Sequence, residues 1–324
     1  MQPHIRRGRF FNHAHERLVH RFGKEIKSLL HIAGKRLMKK AYRIIDYQTK
    51  PHDWIADLKP LAASQEPLVT WLGHATFLIQ LNKINIITDP VFQEVSRFFP
   101  RITKLPIASD ELPQIHVILI SHNHRDHMDE QSLLALKKHQ PLMLVPMGNK
   151  SWFIARGFEQ VVEMGWWQEY ELKSSAINFS FLPANHWTGR GLFDFNKTLW
   201  GSWMIQCGDF TLYFAGDTGY GEHFARIQER FSSINVALMP IGPNEPRSVM
   251  VHSHVSTQEA VQAFLDLHAQ HFLPMHWGTF KSGFDAFADP INQLHHWWSN
   301  FQLAADRLHT LKFGEQWLFD SLKP

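Results

Sequence analysis

The segment His122-Asn-His-Arg-Asp-His127 places four side chains that can bind metal ions within six residues. It directly follows the apolar run His116-Val-Ile-Leu-Ile-Ser121, which predicts a buried strand, and it precedes a helical pattern. The candidate ligands therefore lie where a strand ends. Several buried imidazoles and a carboxylate without a cation would leave costly unpaired groups, so we interpret the segment as a metal site.

The spacing within this segment predicts two ions rather than one. Residues spaced by two project to the same side of an extended chain, so His122 and His124 can hold one ion. Asp126 and His127 can reach another ion as the chain turns into the helix. The spacing differs from the helical His-Glu-x-x-His pattern of metalloproteases.

Two ions need more ligands, and three isolated residues also stand at the ends of apolar runs. They are His186 in Leu182-Pro-Ala-Asn-His186, Asp217 in Phe214-Ala-Gly-Asp217, and His276 in Met275-His276-Trp-Gly278. Each of them alone is more typical of a structural histidine or a turn aspartate. In combination with the segment 122–127 they complete a predicted two-metal centre.

Short apolar runs alternate with turn signals from residue 68 onward. The runs predict strands at 68–80, 84–88, 117–121, 142–145, 177–182, 203–206, 210–215 and 236–239. Helical patterns predict helices at 129–138, 221–231, 256–268 and 285–299. The third helix opens with Ser256-Thr-Gln-Glu259, which is typical of a capping box.

The composition predicts a globular enzyme-sized chain. With 324 residues, 44% apolar and 19% charged, we expect one catalytic domain at 51–324 and an added element at 1–50. Cys207 is the single cysteine, which excludes an intrachain disulfide and a cysteine-rich zinc site and suits a reducing compartment. No run of about 18 uncharged apolar residues predicts a membrane span, so we expect a cytoplasmic protein.

The basic charge is concentrated at the N-terminus. Residues 1–50 carry 13 Lys and Arg against 3 Asp and Glu, which leaves 20 basic and 27 acidic residues in the rest of the chain. Apolar residues spaced by three or four between Leu18 and Ala41 predict an amphipathic helix. Such a helix can contact the anionic inner face of a membrane, but a solvated basic face on a helix packed against its own domain, or a partly disordered arm, explains the pattern better.

The chain resembles the metallo-β-lactamase superfamily and, within it, the N-acyl-phosphatidylethanolamine-hydrolysing phospholipase D family. The resemblance rests on the ordered ligand pattern and runs from about residue 68 to about residue 280. Its motifs are Thr70-Trp-Leu-Gly-His-Ala-Thr76, Thr88-Asp-Pro90, Ser121-His-Asn-His-Arg-Asp-His-Met-Asp129, Leu199-Trp-Gly-Ser202, Gly216-Asp-Thr-Gly-Tyr220 and His276-Trp-Gly-Thr279. It implies an α/β fold, an αββα sandwich of two mixed β-sheets flanked by helices.

The resemblance also implies roles for individual residues. The first zinc ion would be bound by His122, His124 and His186, the second by Asp126, His127 and His276, and both by Asp217. His254 would lie beside the metal pair and orient substrate or carry a proton, while the ordinary alternative for it is a partner of the helix start at Ser256. The ligand chemistry alone also accepts iron or manganese.

The implied activity is zinc-dependent phosphodiester hydrolysis of a phospholipid, with a metal-bridging hydroxide attacking phosphorus while Asp126 and Asp217 hold the site. The β-lactamases that share this fold commonly use a cysteine ligand, so antibiotic hydrolysis is disfavoured. A lactone, a cyclic nucleotide or a nucleic acid is an alternative substrate, and a non-catalytic, metal-stabilised membrane module is an alternative of another class. No motif identifies a protein partner, and the sequence also allows a homodimer.

Candidate substrate-binding residues are less specific than the metal ligands. The loop after His186 contains Trp187, Arg190 and Phe193, and we expect it to form the lip of the substrate cleft. Arg190 or Arg247 could bind a phosphate, or either could be an ordinary surface charge. Aromatic and apolar residues that could contact a lipid, or instead belong to the core, are Trp152, Phe153, Trp166, Trp167, Trp187, Leu192, Phe193 and Phe195.

Overall fold

The computed structural model describes residues 2–12, 51–57, 64–96, 99–191 and 193–319. The described residues form strands β1 (His4–Arg6), β2 (Arg9–Phe11), β3 (Leu68–Gly73), β4 (Thr76–Leu81), β5 (Ile84–Thr88), β6 (Val117–Leu119), β7 (Leu142–Pro146), β8 (Val161–Met164), β9 (Gln168–Leu172), β10 (Ile177–Leu182), β11 (Ser202–Cys207), β12 (Phe210–Phe214), β13 (Ile234–Pro240), β14 (Ala269–Met275) and β15 (Gln316–Leu318). The α-helices are α1 (Glu130–Leu136), α2 (Lys150–Ile154), α3 (His223–Arg230), α4 (Arg247–Met250), α5 (Thr257–Asp266) and α6 (Asp289–Asn300). Short 3-10 helices lie at Pro51–Trp54, Lys137–His139 and Ala305–Arg307.

These strands make two large mixed sheets. One has seven strands in the order β15-β3-β4-β5-β6-β7-β8, and the other has six in the order β14-β13-β12-β11-β10-β9. Strands β5 to β8 are parallel to one another, as are β12 to β14, and the remaining neighbours are antiparallel. Parallel strands end at the same edge of a sheet, so residues that follow them meet there.

Alternation along β6 shows how the layers are held together. Val117 and Leu119 belong to the core that also contains the apolar side chains of the six-stranded sheet, whereas Ile118 packs with Leu133 and Leu136 of α1. Successive residues of a strand face opposite sides, so an uninterrupted apolar run is buried on both. Each fully buried side chain of this kind contributes about 1.5–3 kcal/mol. On the far side, α5 packs against β13, β14, α3 and α6.

This architecture confirms the predicted αββα sandwich of two mixed sheets with flanking helices. The capping box is also confirmed: Ser256 accepts a hydrogen bond from the Glu259 backbone N–H, and the Glu259 side chain accepts one from the Ser256 N–H. The strand predicted at 68–80 is instead two strands, because His74 adopts φ 52° after Gly73 at φ 120° and reverses the chain. Such left-handed conformations end a strand.

The N-terminal segment is described only in part. Strands β1 and β2 pair in a hairpin, in which Phe10 and Phe11 are buried. The main chains of Phe10 and Asn196 are joined, since the Phe10 N–H donates to the Asn196 oxygen. The amphipathic helix predicted between Leu18 and Ala41 lies outside the described residues. None of the helices that the structure describes is long and apolar enough to cross a membrane.

Candidate metal centre

The candidate ligands meet at one edge of the sandwich because each follows a strand that ends there. The segment 122–127 follows β6, and His276 follows β14 of the other sheet. Asp217 follows β12 and His186 follows β10, where Asn185 makes a bridge to Gly219. The structure therefore brings together all seven predicted ligands from distant parts of the chain.

Three histidines form the first cluster. Nδ1 of His124 lies 2.9 Å from Nε2 of His122 and 3.2 Å from Nε2 of His186. Two nitrogens bound tetrahedrally to one zinc ion at about 2.0 Å lie about 3.3 Å apart, so this spacing suits a common ion. The three rings pack edge to face, with centroids 4.6–5.1 Å apart.

The second cluster lies beside the first. Nε2 of His127 is 3.2 Å from Nε2 of His276 and 3.9 Å from Oδ2 of Asp126. The imidazoles of His127 and His276 are buried, whereas the side chain of Asp126 is about a third exposed, at 32%. This carboxylate therefore forms the solvent-facing side of the cluster.

Asp217 lies between the two clusters, and its side chain is buried. Oδ2 of Asp217 is 3.3 Å from Nε2 of His127 and 3.8 Å from Nε2 of His186, while Oδ1 is 3.1 Å from Nε2 of His276. Oδ1 has no hydrogen-bond partner among the described residues. One carboxylate is thus within reach of ions held by either cluster.

Hydrogen bonds on the far side of the rings fix their orientation. Nδ1 of His186 donates to the Ser253 carbonyl at 2.8 Å, and Nδ1 of His276 donates to the Gly242 carbonyl at 2.9 Å. Nδ1 of His127 donates to Oδ2 of Asp89 at 2.8 Å. In a neutral ring this leaves the lone pair on Nε2, which is the form that binds metals.

The donor set fits divalent cations. With both Nδ1 atoms donating, the Nε2 lone pairs of His127 and His276 face each other at 3.2 Å and also face the Asp217 carboxylate. These groups repel one another unless a proton or a cation lies between them. Nitrogen and carboxylate donors in two adjoining clusters suit a pair of ions such as zinc, iron or manganese.

Burial and charge set the protonation of the site. Burial lowers the pKa of His122 and His186 well below the usual value and lowers that of His124 to about 4. Burial would also lower the pKa of His127, but the Asp217 and Asp126 carboxylates outweigh it and raise the pKa well above its usual value. The negative charge of the clusters therefore favours one bound positive charge even before a metal enters.

Two residues of the site were not assigned a role from the sequence. Asp89 is fully buried after β5, where it accepts hydrogen bonds from His127 and from the Ser121 N–H. His74 lies in the turn between β3 and β4, with Nε2 3.2 Å from Oδ2 of Asp126. Both stand in quoted family motifs, and their positions directly after or between strands at this edge could have drawn attention to them.

The turn before Asp217 requires glycine. Gly216 adopts φ 58°, and a Cβ at this position would lie 2.6 Å from Cβ of Ser121. The loops after β6 and β12 therefore approach each other as closely as they do only because no side chain stands between them. This close approach places Asp217 beside His122 and His127.

A cleft of about 450 Å³ opens onto the clusters. Its wall includes Asp126, His124, Asp217 and His276, and its remaining lining is mostly apolar. The other lining residues are Val95, Ser96, Phe99, Arg125, Trp187, Gly189, Arg190, Pro243, Val249, Met250, Ser253, His254, Phe280 and Ser282. The cleft thus combines an ionic end with an apolar wall, as ligand sites commonly do.

The predicted substrate-binding residues have different surroundings. Trp187 lines the cleft with its ring 4.2 Å from that of His124, whereas Phe193 is 81% exposed on the same loop. Arg190 also lines the cleft, but its Nη1 donates to the carbonyls of Asn123 and Met128. The position of Arg190 suits holding the ligand loop, and its phosphate contact stays a prediction.

The aromatic residues considered for lipid contact also differ in their surroundings. Phe153, Trp166 and Phe195 are buried and belong to the core. Trp152 instead packs its ring against the guanidinium of Arg156 at 3.8 Å. Leu192 lies outside the described residues.

His254 lines the cleft beside the clusters. Its Nδ1 lies 3.8 Å from Oδ2 of Asp217 and has no hydrogen-bond partner among the described residues. Burial lowers the pKa of His254 to about 4, so the ring is neutral near pH 7. Ser256 and Glu259 satisfy the helix start without it. Arg247 holds this segment, since Nη1 donates to the His254 carbonyl at 2.8 Å.

Comparison with known families gives one match across most of the site. The model of the beta-lactamase superfamily domain matches residues 84–277, which include all seven candidate ligands. The motif residues at 70–76 lie before this match.

Two curated relatives are similar over most of the chain. The mitochondrial N-acyl-phosphatidylethanolamine-hydrolyzing phospholipase D of Saccharomyces cerevisiae is 37% identical over 263 residues, which are 78% of this chain and 56% of that protein. The N-acyl-phosphatidylethanolamine-hydrolyzing phospholipase D 1 of Caenorhabditis elegans is 31% identical over 256 residues, covering 74% of this chain and 71% of that protein. The chain thus spans just over half the length of the yeast relative.

Solved structures share the fold at lower identity. A metallo hydrolase from the archaeon Ignicoccus hospitalis superposes with a TM-score of 0.60 at 20% identity, over 78% of this chain and 98% of that one. At this identity the similarity concerns the fold alone.

Proposed function

Since this chain belongs to the beta-lactamase superfamily domain family, we propose that it is a metal-dependent hydrolase of the phospholipase D type. Its substrate would be an N-acyl-phosphatidylethanolamine or a related phospholipid. The predicted resemblance to the N-acyl-phosphatidylethanolamine-hydrolysing phospholipases D is confirmed by the two curated relatives. The products would be phosphatidic acid and an N-acyl-ethanolamine or ethanolamine.

The observation that carries the proposal is the position of Asp217 between two clusters of metal-binding nitrogens that open onto one cleft. A structural zinc site usually closes four ligands around a single ion. Here two clusters share a carboxylate and face a cavity, which favours catalysis over a purely structural role.

We assign one cation to His122, His124 and His186, a second to Asp126, His127 and His276, and both to Asp217. Zinc is our preferred metal because the donors are imidazoles and carboxylates. When bound, such a pair of ions would lower the pKa of water to near neutrality and neutralise charge on a phosphodiester. Asp126 and Asp217 are catalytic residues in this assignment because their carboxylates would bind the cations at which the substrate reacts.

The two parts of the cleft suit two different parts of the proposed substrate. Its ionic end, around Asp126 and His276, suits the phosphodiester, and its wall at Phe99, Met250 and Phe280 suits an acyl chain. His254 borders both parts, and its neutral ring can accept a proton or orient the substrate. Trp187 adds an aromatic surface directly beside His124.

We also propose peripheral contact with an anionic membrane at the cytoplasmic face. Phe193 is 81% exposed at the lip, and the hairpin next to it carries exposed Ile5 and Arg7. Hairpin and lip are joined, because Arg9 donates to the Phe193 carbonyl at 3.3 Å. An apolar tip beside basic residues is typical of peripheral attachment.

A charge substitution tests this contact. Replacing Lys24, Lys27, Lys35, Lys39 and Lys40 by Gln is expected to weaken binding to anionic vesicles, because each basic residue near the surface contributes about 1 kcal/mol. The measurement is vesicle sedimentation at low and high salt. Gln at the exposed Lys83, Lys104, Lys138, Lys150 and Lys173 is the matched control. Equal binding of both variants would remove these five lysines from the membrane contact and leave the hairpin and the lip as its only proposed parts.

Product analysis tests the proposed activity. The zinc-loaded protein is incubated with vesicles containing N-acyl-phosphatidylethanolamine, and both lipid and headgroup products are identified by mass spectrometry. Phosphatidic acid with N-acyl-ethanolamine is the expected pair. Parallel assays with bis-p-nitrophenyl phosphate, lactones and RNA distinguish other hydrolases of the superfamily. Turnover of a lactone without turnover of any phosphodiester would refute the substrate class.

A further inference from the structure

His74 lies in the turn between β3 and β4, and its main chain is hydrogen-bonded to the segment that follows β14 of the other sheet. Its backbone N–H donates to Oγ1 of Thr279 at 2.6 Å, and its carbonyl accepts from the His276 N–H at 3.0 Å. A third hydrogen bond runs from Nε1 of Trp71 to the same carbonyl. The turn at φ 52° is therefore fixed to the segment that follows β14 as well as to its own sheet.

The side chain of His74 is buried against the second cluster. Its ring centroid is 3.9 Å from that of His276 and 5.1 Å from that of His127. Its Nε2 lies 3.2 Å from Oδ2 of Asp126, and the ring is only 2% exposed. An imidazole N–H facing a carboxylate donates a hydrogen bond to it.

Asp126 is the ligand that most needs such support. It is 32% exposed, whereas the side chains of His127, His276 and Asp217 are 3% exposed or less. A partly exposed carboxylate can rotate about its side-chain bonds, and ordering it costs conformational entropy. A buried donor that holds one oxygen reduces the number of rotamers available to Asp126.

We propose that His74 is a positioning residue that fixes the carboxylate of Asp126 beside His127 and His276 and thereby completes the second cation site. His74 also lies within 4.8 Å of the ligand atoms of that cluster, so direct binding of the ion is the competing role. The inference rests on the proposed metal centre but not on the proposed substrate. Partners of metal ligands of this kind typically change metal affinity by about 10–100-fold.

The experiment measures zinc affinity rather than turnover. Purified full-length protein is stripped of metal and titrated with Zn²⁺ in competition with a chromophoric chelator, which resolves a tighter and a weaker site. His74→Phe keeps an aromatic ring against His276 but removes the donor, and is expected to weaken one site by about 10–100-fold. His74→Gln restores an N–H donor and is expected to recover most of that loss.

A double-mutant cycle separates positioning from direct binding. If His74 acts through Asp126, His74→Phe has little further effect in the Asp126→Ala background, because coupled residues are not additive. Additive losses, or no recovery by His74→Gln, would identify His74 as a ligand and overturn the positioning role. Unchanged zinc affinity of His74→Phe would overturn both.

Further measurements distinguish loss of the His74 contact from misfolding of the variant and from absence of the metal centre. Thermal unfolding of the metal-free variants shows whether His74→Phe folds, and Thr279→Val, which removes only the hydroxyl that holds the His74 backbone, provides a milder variant. Thr279→Val is expected to weaken the same site by less than His74→Phe. If the wild-type protein binds no zinc, the metal centre fails rather than the role of His74.

Discussion

The two histidine clusters are built from the same side chains but are held in different ways. Behind the second cluster stand Asp89, which is fully buried, and the turn at His74. In the first cluster, His186 is held by the Ser253 carbonyl, and its own carbonyl accepts from Nδ2 of Asn12 in the N-terminal segment. Asp89 also reaches the first cluster, but only through the Ser121 hydroxyl, which lies between its carboxylate and Nδ1 of His122. The second cluster thus contacts this buried carboxylate directly, and the first depends more on loops and the N-terminal segment.

This difference indicates which substitutions affect which cation. Substitution of a residue that contacts both clusters should abolish binding of both cations. Substitution of a residue that holds one cluster in place should mainly weaken binding of the cation in that cluster. Substitution at the lip of the cleft should affect only the approach of substrate.

Asp217→Asn should have the largest effect, because its carboxylate contacts both clusters. We expect zinc affinity and phosphodiester turnover to fall by more than about 100-fold, since loss of an outer partner alone costs about 10–100-fold. Bound zinc per chain and turnover are the measurements, with Asp209→Asn, an exposed residue, as the control. Full activity with two zinc ions in Asp217→Asn would eliminate the assigned role.

Asp89→Asn should weaken the second cluster more than the first, because Asp89 contacts His127 directly and His122 only through the Ser121 hydroxyl. It keeps the shape of the side chain but removes the charge that His127 and the Ser121 N–H contact. We expect about a 10–100-fold loss of affinity for the ion of the second cluster and a smaller loss for the ion of the first. Chelator competition measures both, and Asp110→Asn on an exposed loop serves as comparison. Equal weakening of both ions would contradict the separation of the clusters.

Asn12→Ala should act on the first cluster and more weakly. Asn12 donates to the His186 carbonyl at 3.1 Å and accepts from Nε1 of Trp200 at 3.0 Å. Each hydrogen bond contributes about 0.5–1.5 kcal/mol, so we expect a lower melting temperature and less than about a tenfold loss of affinity at one ion. Calorimetry and zinc titration test this against Asn178→Ala, at an exposed position. A loss of affinity confined to the ion of the second cluster would contradict the assignment of Asn12 to the first cluster.

Phe193→Ser should change neither ion. It removes an 81% exposed aromatic side chain at the lip, and a partial burial of about 1 kcal/mol in lipid corresponds to about a fivefold loss of vesicle binding. Turnover of a soluble phosphodiester should stay within about twofold. Leu318→Ser, at an exposed position on β15, is the control. Weaker zinc binding in Phe193→Ser would show that the lip also supports the first cluster.

The sequence predicts the candidate metal ligands better than it predicts the residues that hold those ligands in place. His186, Asp217 and His276 could be found because each ends an apolar run, and parallel strands bring such ends together. The contacts of Asp89 and His74 depend on how the loops pack in three dimensions, which no spacing in the sequence expresses. Single Asp and His residues after strands are too common to identify without that geometry.

Some of the strands that were not predicted from the sequence also have physical reasons for being missed. Strand β9 lies at a sheet edge and reads Gln168-Glu-Tyr-Glu-Leu172, so it lacks an apolar run because one side is solvated. Strand β14 contains His271 and Pro274, which disfavour a strand by composition but are tolerated at the other edge of the same sheet. The hairpin of β1 and β2 is too short and too basic to be distinguished from an arm.

The separation of the ligands along the chain also governs when the site can form in the cell. His127 and His276 are 149 residues apart, and contacts at such a distance form late because a long loop must close first. During synthesis the segment 122–127 leaves the ribosome well before β14 is made, so four metal-binding side chains exist without their partners. In the proposed two-cation centre, binding of both ions would therefore follow docking of the two sheets.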